Sequence, residues 1–223
     1  MSRIARVIAT GLPHHVTQRG NRRMPTFFHD QDYQAYISLM DEWCRKCHVE
    51  IWAYCLMPNH VHLIAIPETD EGLRQGIGEA HRRYSRLINF REGWQGHLWQ
   101  GRFFSFPMDE NYLLAVARYI EMNPVRARLA EEPESWKWSS ARAHLAGVDD
   151  TLVKVSPLLE IVGDWRRFLV SDSEEEKVMD IRKHERTGRP LGSESFVSKL
   201  EMVTERTLRR QKPGPKGGGE INN

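Results

Sequence analysis

Cysteine is scarce in this chain of 223 residues: Cys44, Cys47 and Cys55 are an odd number and give no disulfide framework. Cys44 and Cys47 fall inside one helical stretch with no second pair, so core packing is their expected role. No apolar run approaches the length that crosses a bilayer. The opening Met1-Ser2-Arg3-Ile4-Ala5-Arg6 lacks the apolar core and small-residue cleavage site of a secretory leader, which leaves the cytoplasm as the expected location. There are no internal repeats. Acidic residues are missing from positions 1–25, where five arginines stand: Arg3, Arg6, Arg19, Arg22 and Arg23.

That local imbalance matters more than the net charge of +2. Further basic clusters follow at Arg82, Arg83 and Arg86, at Arg118, Arg126 and Arg128, and from Arg206 to Lys216. Clustered cations of this kind suit a polyanion, nucleic acid first. With 40% hydrophobic and 28% charged residues the chain has the balance of a soluble globular protein, one domain with an appendage or two small ones.

The expected elements follow from periodicity and breakers. His14 to Arg19 is a first strand, bounded by Gly11-Leu12-Pro13 and Gly20-Asn21. Asp30 caps a helix reaching about Cys47, with Tyr33, Tyr36, Met40 and Cys44 at helical spacing. Glu50–Leu56 and His60–Ile66 are strands joined by a short Met-Pro-Asn turn, hence an antiparallel hairpin. A second helix runs from Gly72 to Phe90, and Leu98 to Phe106 is a fourth strand stopped by Pro107. Asp109 opens a third helix that meets Asn123-Pro124, where proline limits continuation. The order β-α-β-β-α-β-α matches a split βαβ arrangement. Composition shifts near Gly147. Short helical pieces are expected at Pro157–Val162 and Trp165–Val170, a charged helix from Glu174 to His184, and a helix from Phe196 to about Leu208. The Lys/Arg/Gly/Pro-rich end, 209–223, is expected to be disordered.

The most informative stretch is Tyr54-Cys55-Leu56-Met57-Pro58-Asn59-His60-Val61-His62. On a strand, His60 and His62 share one face and lie roughly 7 Å apart, close enough for their nitrogens to converge on one cation. Neutral imidazoles suit divalent ions from Mg²⁺ or Mn²⁺ to Zn²⁺. A useful site needs a third ligand. Tyr119 and Asn123 are one helical turn apart. The Asn123 amide oxygen suits a hard ion, and the Tyr119 phenol can attack a group polarised by it. Attack on a phosphodiester would give a phosphotyrosine and a free hydroxyl, conserving the bond for rejoining. Other readings stand beside these: Asn123 as a helix cap, Tyr119 as a core residue, and Tyr84 or Tyr112 as competing nucleophiles. Gln18, Gln100 and Arg102 could contact phosphate or base, and Trp94 and Trp99 could stack on unpaired bases.

The His60-Val61-His62 stretch, together with Arg118-Tyr119-Ile120-Glu121-Met122-Asn123-Pro124-Val125-Arg126, resembles the REP-associated tyrosine transposases. These belong to the single-tyrosine, single-strand transposases named for histidine–hydrophobe–histidine. His14–Arg23, Trp99–Phe103 and Trp138–Arg142 are also similar to that family's pattern, so the likeness covers about residues 1–146. It implies an α+β fold with a ferredoxin-like split βαβ core, an antiparallel sheet and helices on one face, then a mostly helical extension over 147–208. It implies an endonuclease and strand transferase acting on single-stranded DNA at palindromic, REP-type hairpins through a 5′-phosphotyrosine. His60, His62 and Asn123 would hold Mg²⁺ or Mn²⁺, and Tyr119 would be the nucleophile. Gln18, Arg19, Arg22, Arg23, Arg82, Arg83, Arg86, Trp99 and Arg102 are the candidate DNA contacts, and the protein would act as a monomer or homodimer.

The alternative from another class is a non-catalytic single-stranded nucleic-acid-binding regulator that kept the fold. The intact set of two histidines, tyrosine and asparagine argues against it. A replication initiator or relaxase is disfavoured by the small core, and a zinc hydrolase by the lack of an acid in the motif.

Overall fold

The structure is a computed structural model and describes residues 4–171 and 175–210. Its centre is a four-stranded antiparallel sheet of β1 (His14–Arg19), β2 (Val49–Met57), β3 (His60–Pro67) and β4 (Phe104–Pro107), in the order β2-β3-β1-β4. α1 (Asp30–Lys46) links β1 to β2, α2 (Gly72–Glu92) links β3 to β4, and α3 (Glu110–Glu121) follows β4. β2 and β3 meet across the tight Pro58-Asn59 turn, with Met57 opposite His60 and Cys55 opposite His62. On the other side of β3, Arg19 lies opposite His60 and Thr17 opposite His62. This is the expected split βαβ order.

One feature of the expected architecture is corrected: the helices do not all lie on one face. Val61, Leu63 and Ala65 of β3 pack with Tyr54 and Leu56 of β2 against α1 and α2. Ile64, Ile66, Cys55 and Met57 point the other way and pack with Phe106 against α3 and the C-terminal helices. The cause lies in the strands themselves. β2 and β3 are almost uninterrupted apolar runs, buried from Tyr54 to Met57 and from Val61 to Pro67, and a strand apolar on both sides needs cover on both.

The fourth strand is shorter than expected. Leu98 to Phe103 is irregular, with an isolated bridge between Gly20 and Trp99 in place of a ladder, and regular pairing resumes at Phe104. The Gln18 amide donates to the Gly101 carbonyl at 2.9 Å and the Gln100 N–H to the Arg19 carbonyl at 2.9 Å, holding this loop against β1. Gly20 makes the corner possible: a Cβ there would stand 2.3 Å from the Met24 carbonyl oxygen. At α1 the capping position is His29, not Asp30. Asp32 accepts from the Phe28 and His29 N–H groups at 2.8 and 3.1 Å and pairs with Arg91 at the far end of α2.

The C-terminal half is helical, as expected: α4 (Asn123–Arg126), α5 (Ala141–Ala146), α6 (Ser156–Leu159), α7 (Trp165–Val170), α8 (Glu175–Thr187) and α9 (Glu194–Thr204). Leu158, Trp165, Leu169, Ile181 and Leu191 share one core with Ile64, Phe106 and Val116 of the sheet and α3. Leu158 and Ile181 are fully buried, and each such side chain contributes about 1.5–3 kcal/mol. The segment after α8 docks on the end of β4: the Leu191 N–H donates to the Pro107 carbonyl at 2.9 Å, and the Asp109 N–H to the Leu191 carbonyl at 3.1 Å. α9 packs with Val7 and Ala9, and the Arg209 guanidinium bonds Glu201 at 2.8 Å. Arg209, in the tail expected to be disordered, is therefore held, whereas 211–223 lie outside the described residues. No helix among the described residues is long and apolar enough to cross a membrane.

Candidate active site

The register places His60 and His62 on the sheet face covered by α3 and α8, and brings His15 of β1 alongside. The His15 and His62 rings stack at 5.3 Å between centroids, with His15 Nε2 3.1 Å from His62 Nδ1. The His60 and His62 rings meet edge to face at 5.0 Å. His60 Nδ1 bonds the Asn59 side-chain oxygen at 2.6 Å, which fixes the ring at the mouth of the turn.

Tyr119 comes down from α3 onto the same face. Its ring stands edge to face with His62 at 5.7 Å and with His15 at 6.2 Å. The tyrosine and the histidine pair of one chain thus form one cluster. The competing tyrosines are elsewhere: Tyr84 is on the opposite side of the sheet and gives its hydroxyl to the Thr26 carbonyl at 2.6 Å, and Tyr112 donates to Asp180 at 3.2 Å.

The surroundings are cationic. The Arg126 guanidinium lies 4.4 Å from the Tyr119 ring centroid and donates to the Tyr119 carbonyl, and Arg182 of α8 adds a second positive charge near the phenol. A cleft of about 300 Å³ beside Tyr119 is lined by Arg118, Arg126, Lys177, Leu169 and Val178. Burial pushes the Tyr119 phenol above its usual value and Glu185 adds to that push, while Arg126 and Arg182 pull it back.

Burial keeps the imidazoles neutral. His15 is lowered to about 3, His60 to about 4 with a further push from Arg19, and His62 well below its ordinary value. Neutral imidazole is the form that ligates a metal. Glu185 of α8 completes the group: its Oε1 lies 3.5 Å from His62 Nδ1 and 3.8 Å from His15 Nε2. Burial raises its carboxyl to about 7 against the pull of Arg19, Arg182, Arg126 and Arg186. Buried neutral nitrogens facing a carboxylate oxygen that has no hydrogen-bond partner among the described residues fit a divalent cation.

Asn123, the expected third ligand, begins α4 one turn beyond Tyr119. Met122 takes the capping position and Asn123 is the first helical residue, its carbonyl accepting from the Ala127 N–H at 2.9 Å. The capping reading of its side chain therefore does not hold. His15 and Glu185 were not singled out from the sequence. Only the β1–β3 register puts His15 beside His62, and Glu185 lies one residue past the end of the charged helix expected over Glu174–His184.

The expected DNA contacts fall into two groups. Arg19, opposite His60, and the exposed Arg22 and Arg23 in the adjoining turn stand at the mouth of the histidine pair. Arg82, Arg83 and Arg86 project from α2, which packs on the other face of the sheet. Arg82 and Arg83 share Glu79 at 2.6 and 2.9 Å. Arg82 and Arg102 border a second pocket of about 480 Å³. Gln18 and Trp99 line that pocket but are largely buried, and Trp99 donates its indole N–H to the His81 carbonyl at 3.4 Å. Gln18 holds the 98–103 loop, as described above, and Trp99 packs in the core, so neither presents an open stacking or hydrogen-bonding face at the surface.

A sheet in this order, with two strand histidines and a helix tyrosine on one face, agrees with the arrangement that the sequence resemblance implies. Residues 9–123, just over half of the chain, match the family described as "Transposase IS200 like", and the chain belongs to that family. A protein of Haemophilus influenzae (strain ATCC 51907 / DSM 11121 / KW20 / Rd) named as a REP-associated tyrosine transposase is 26% identical over 121 residues, covering 49% of this chain and 69% of that one. The structure of a REP-associated tyrosine transposase bound to a REP hairpin superimposes with a TM-score of 0.54 at 23% identity. That match covers 68% of this chain and 90% of the other, and it shows the shared fold.

Proposed function

We propose that this transposase cuts and rejoins single-stranded DNA through a covalent bond to Tyr119. The observation that carries the reading is the meeting, within one chain, of the Tyr119 ring with the neutral His62 at 5.7 Å, under two arginines. The Tyr119 phenol oxygen attacks the phosphorus and gives up its proton as the O–P bond forms. The bond from phosphorus to the 3′ oxygen breaks, leaving a 3′ hydroxyl on one fragment and a 5′-phosphotyrosine on the other. Attack by that hydroxyl, or by another 3′ end, reverses the step and joins strands. The charges of Arg126 and Arg182 favour the phenolate and the crowded phosphate charge of the transition state.

His60 and His62, with Asn123 one turn from the nucleophile, would hold Mg²⁺ or Mn²⁺. When bound, the ion supplies positive charge that polarises the phosphate. The solved relative is bound to a REP hairpin, and a hairpin-forming single strand is the substrate proposed here. Arg19, Arg22 and Arg23 would hold phosphates beside the histidines, and Arg82, Arg83, Arg86 and Arg102 would hold those of the stem.

The test uses end-labelled single-stranded hairpins with Mn²⁺ or Mg²⁺, resolved on a denaturing gel. The wild type should form a protein–DNA adduct, and Tyr119→Phe should form none while retaining hairpin binding. An adduct on Tyr119→Phe would assign the wrong nucleophile. Binding without an adduct from the wild type under either ion would favour the regulator reading.

A further inference from the structure

The triangle formed by His15, His62 and Glu185 is not accounted for by the histidine pair, Tyr119 and Asn123. Its three sides are 3.1 Å between His15 Nε2 and His62 Nδ1, 3.5 Å from Glu185 Oε1 to His62 Nδ1, and 3.8 Å from Glu185 Oε1 to His15 Nε2. Two neutral imidazoles can share one N–H···N bond across the first side. The other two sides are too long for N–H···O bonds. Glu185 Oε1 is buried without a hydrogen-bond partner among the described residues. Polar atoms left in that state are costly unless something else meets them.

A point equidistant from three atoms with these separations lies about 2 Å from each, the distance at which nitrogen and oxygen ligands surround small divalent ions. The donor set also has a chemical logic. Imidazoles alone favour softer ions such as Zn²⁺, and a carboxylate oxygen shifts a site toward Mg²⁺ and Mn²⁺.

We infer that His15 and Glu185 belong to the metal site built on His62, so that the C-terminal extension supplies one of the metal's ligands. This rests on the proposal that the histidine face holds a divalent cation. α8 is held for the task. Ile181, four residues before Glu185 and so on the same helical side, is fully buried in the core shared with the sheet. Just beyond α8, Gly192 lets the chain press against α3's start, where the Ser193 N–H donates to Asp109 at 2.8 Å and a Cβ on residue 192 would stand 2.7 Å from that carboxylate. Binding of the ion should therefore tighten α8 against the sheet.

The test measures Mn²⁺ uptake by the full-length protein, with free ion read by electron paramagnetic resonance, and amide exchange in α8 with and without Mn²⁺. Wild type should bind, His62→Ala should not, and Glu185→Gln should bind at least about tenfold more weakly. Mn²⁺ should slow exchange in α8 of the wild type but not of Glu185→Gln. The metal-free Glu185→Gln protein should melt as wild type does, since glutamine fills the same space, so that weaker uptake reports the lost ligand and not a lost fold. If wild type takes up no Mn²⁺, or His62→Ala takes it up unchanged, the metal reading of the histidine face fails and this inference with it. If both controls hold and Glu185→Gln binds as wild type, the inference alone fails.

Discussion

His14 and His15 are neighbours with opposite fates, and strand alternation explains the difference. His15 faces the candidate site. His14 turns away, with Nε2 accepting from the Ala9 N–H at 3.1 Å and Nδ1 donating to the Leu12 carbonyl at 2.8 Å. A proton on Nε2 would face another N–H, so the folded protein resists it. Burial lowers His14 to about 4, and burial with help from Arg6 lowers His81 to about 3, against 6.5 for the free ring. Below pH 6.5 the unfolded chain takes up protons that the folded chain refuses. The stability from these two rings is complete above that pH and is lost as pH falls toward the folded values. Each ring costs about 1.4 kcal/mol per pH unit. Urea unfolding of metal-free protein should show a loss of about 3 kcal/mol or more between about pH 7 and pH 5. Equal stability at both would contradict the neutral, buried assignment. Residue identity made His60, His62 and Tyr119 readable in the sequence, because each sits in a short motif whose spacing matches its element. His15 depended on a cross-strand register and Glu185 on a tertiary contact from far along the chain, and neither leaves a local mark.

At the scale of elements, α3 decides where Tyr119 stands, and its end is anchored by the fully buried Glu121. Oε1 accepts from Ser140 Oγ at 2.5 Å and lies 2.6 Å from His144 Nδ1, while Oε2 accepts from the Trp165 indole at 2.8 Å. One carboxylate thus joins α3 to α5 and α7. Glu121→Ala leaves three buried polar groups without their partner and should cost about 3–5 kcal/mol in urea unfolding. Glu121→Gln keeps an acceptor for Ser140 or Trp165 and should cost less. Equal effects would contradict the retained-acceptor role. The strands and long helices were readable from periodicity, including β1, the β2–β3 hairpin and the span of α2. The fourth strand was overextended because Leu98 to Phe103 has strand-like composition, yet its backbone is claimed by Gln18, Gly20 and Arg19 in turn.

At the scale of the whole molecule, the second covered face of the sheet is what the sequence concealed. Apolar runs in β2 and β3 signal burial on both sides, but nothing local says which later helices supply the cover. The C-terminal helices do so, sharing their core with Ile64 and Phe106 and enclosing His15, His62 and Tyr119. That enclosure buries His15 and His62 and keeps their imidazoles neutral. It also brings Tyr119, the proposed nucleophile, against the histidine face of the same chain. The most direct measurement is a mass map of the covalent product. After reaction with a single-stranded hairpin and Mn²⁺, nuclease trimming and trypsin digestion should leave a 5′-linked nucleotide on the peptide Tyr119–Arg126, attached at Tyr119. Attachment at Tyr84, Tyr112 or any residue outside that peptide would contradict the account.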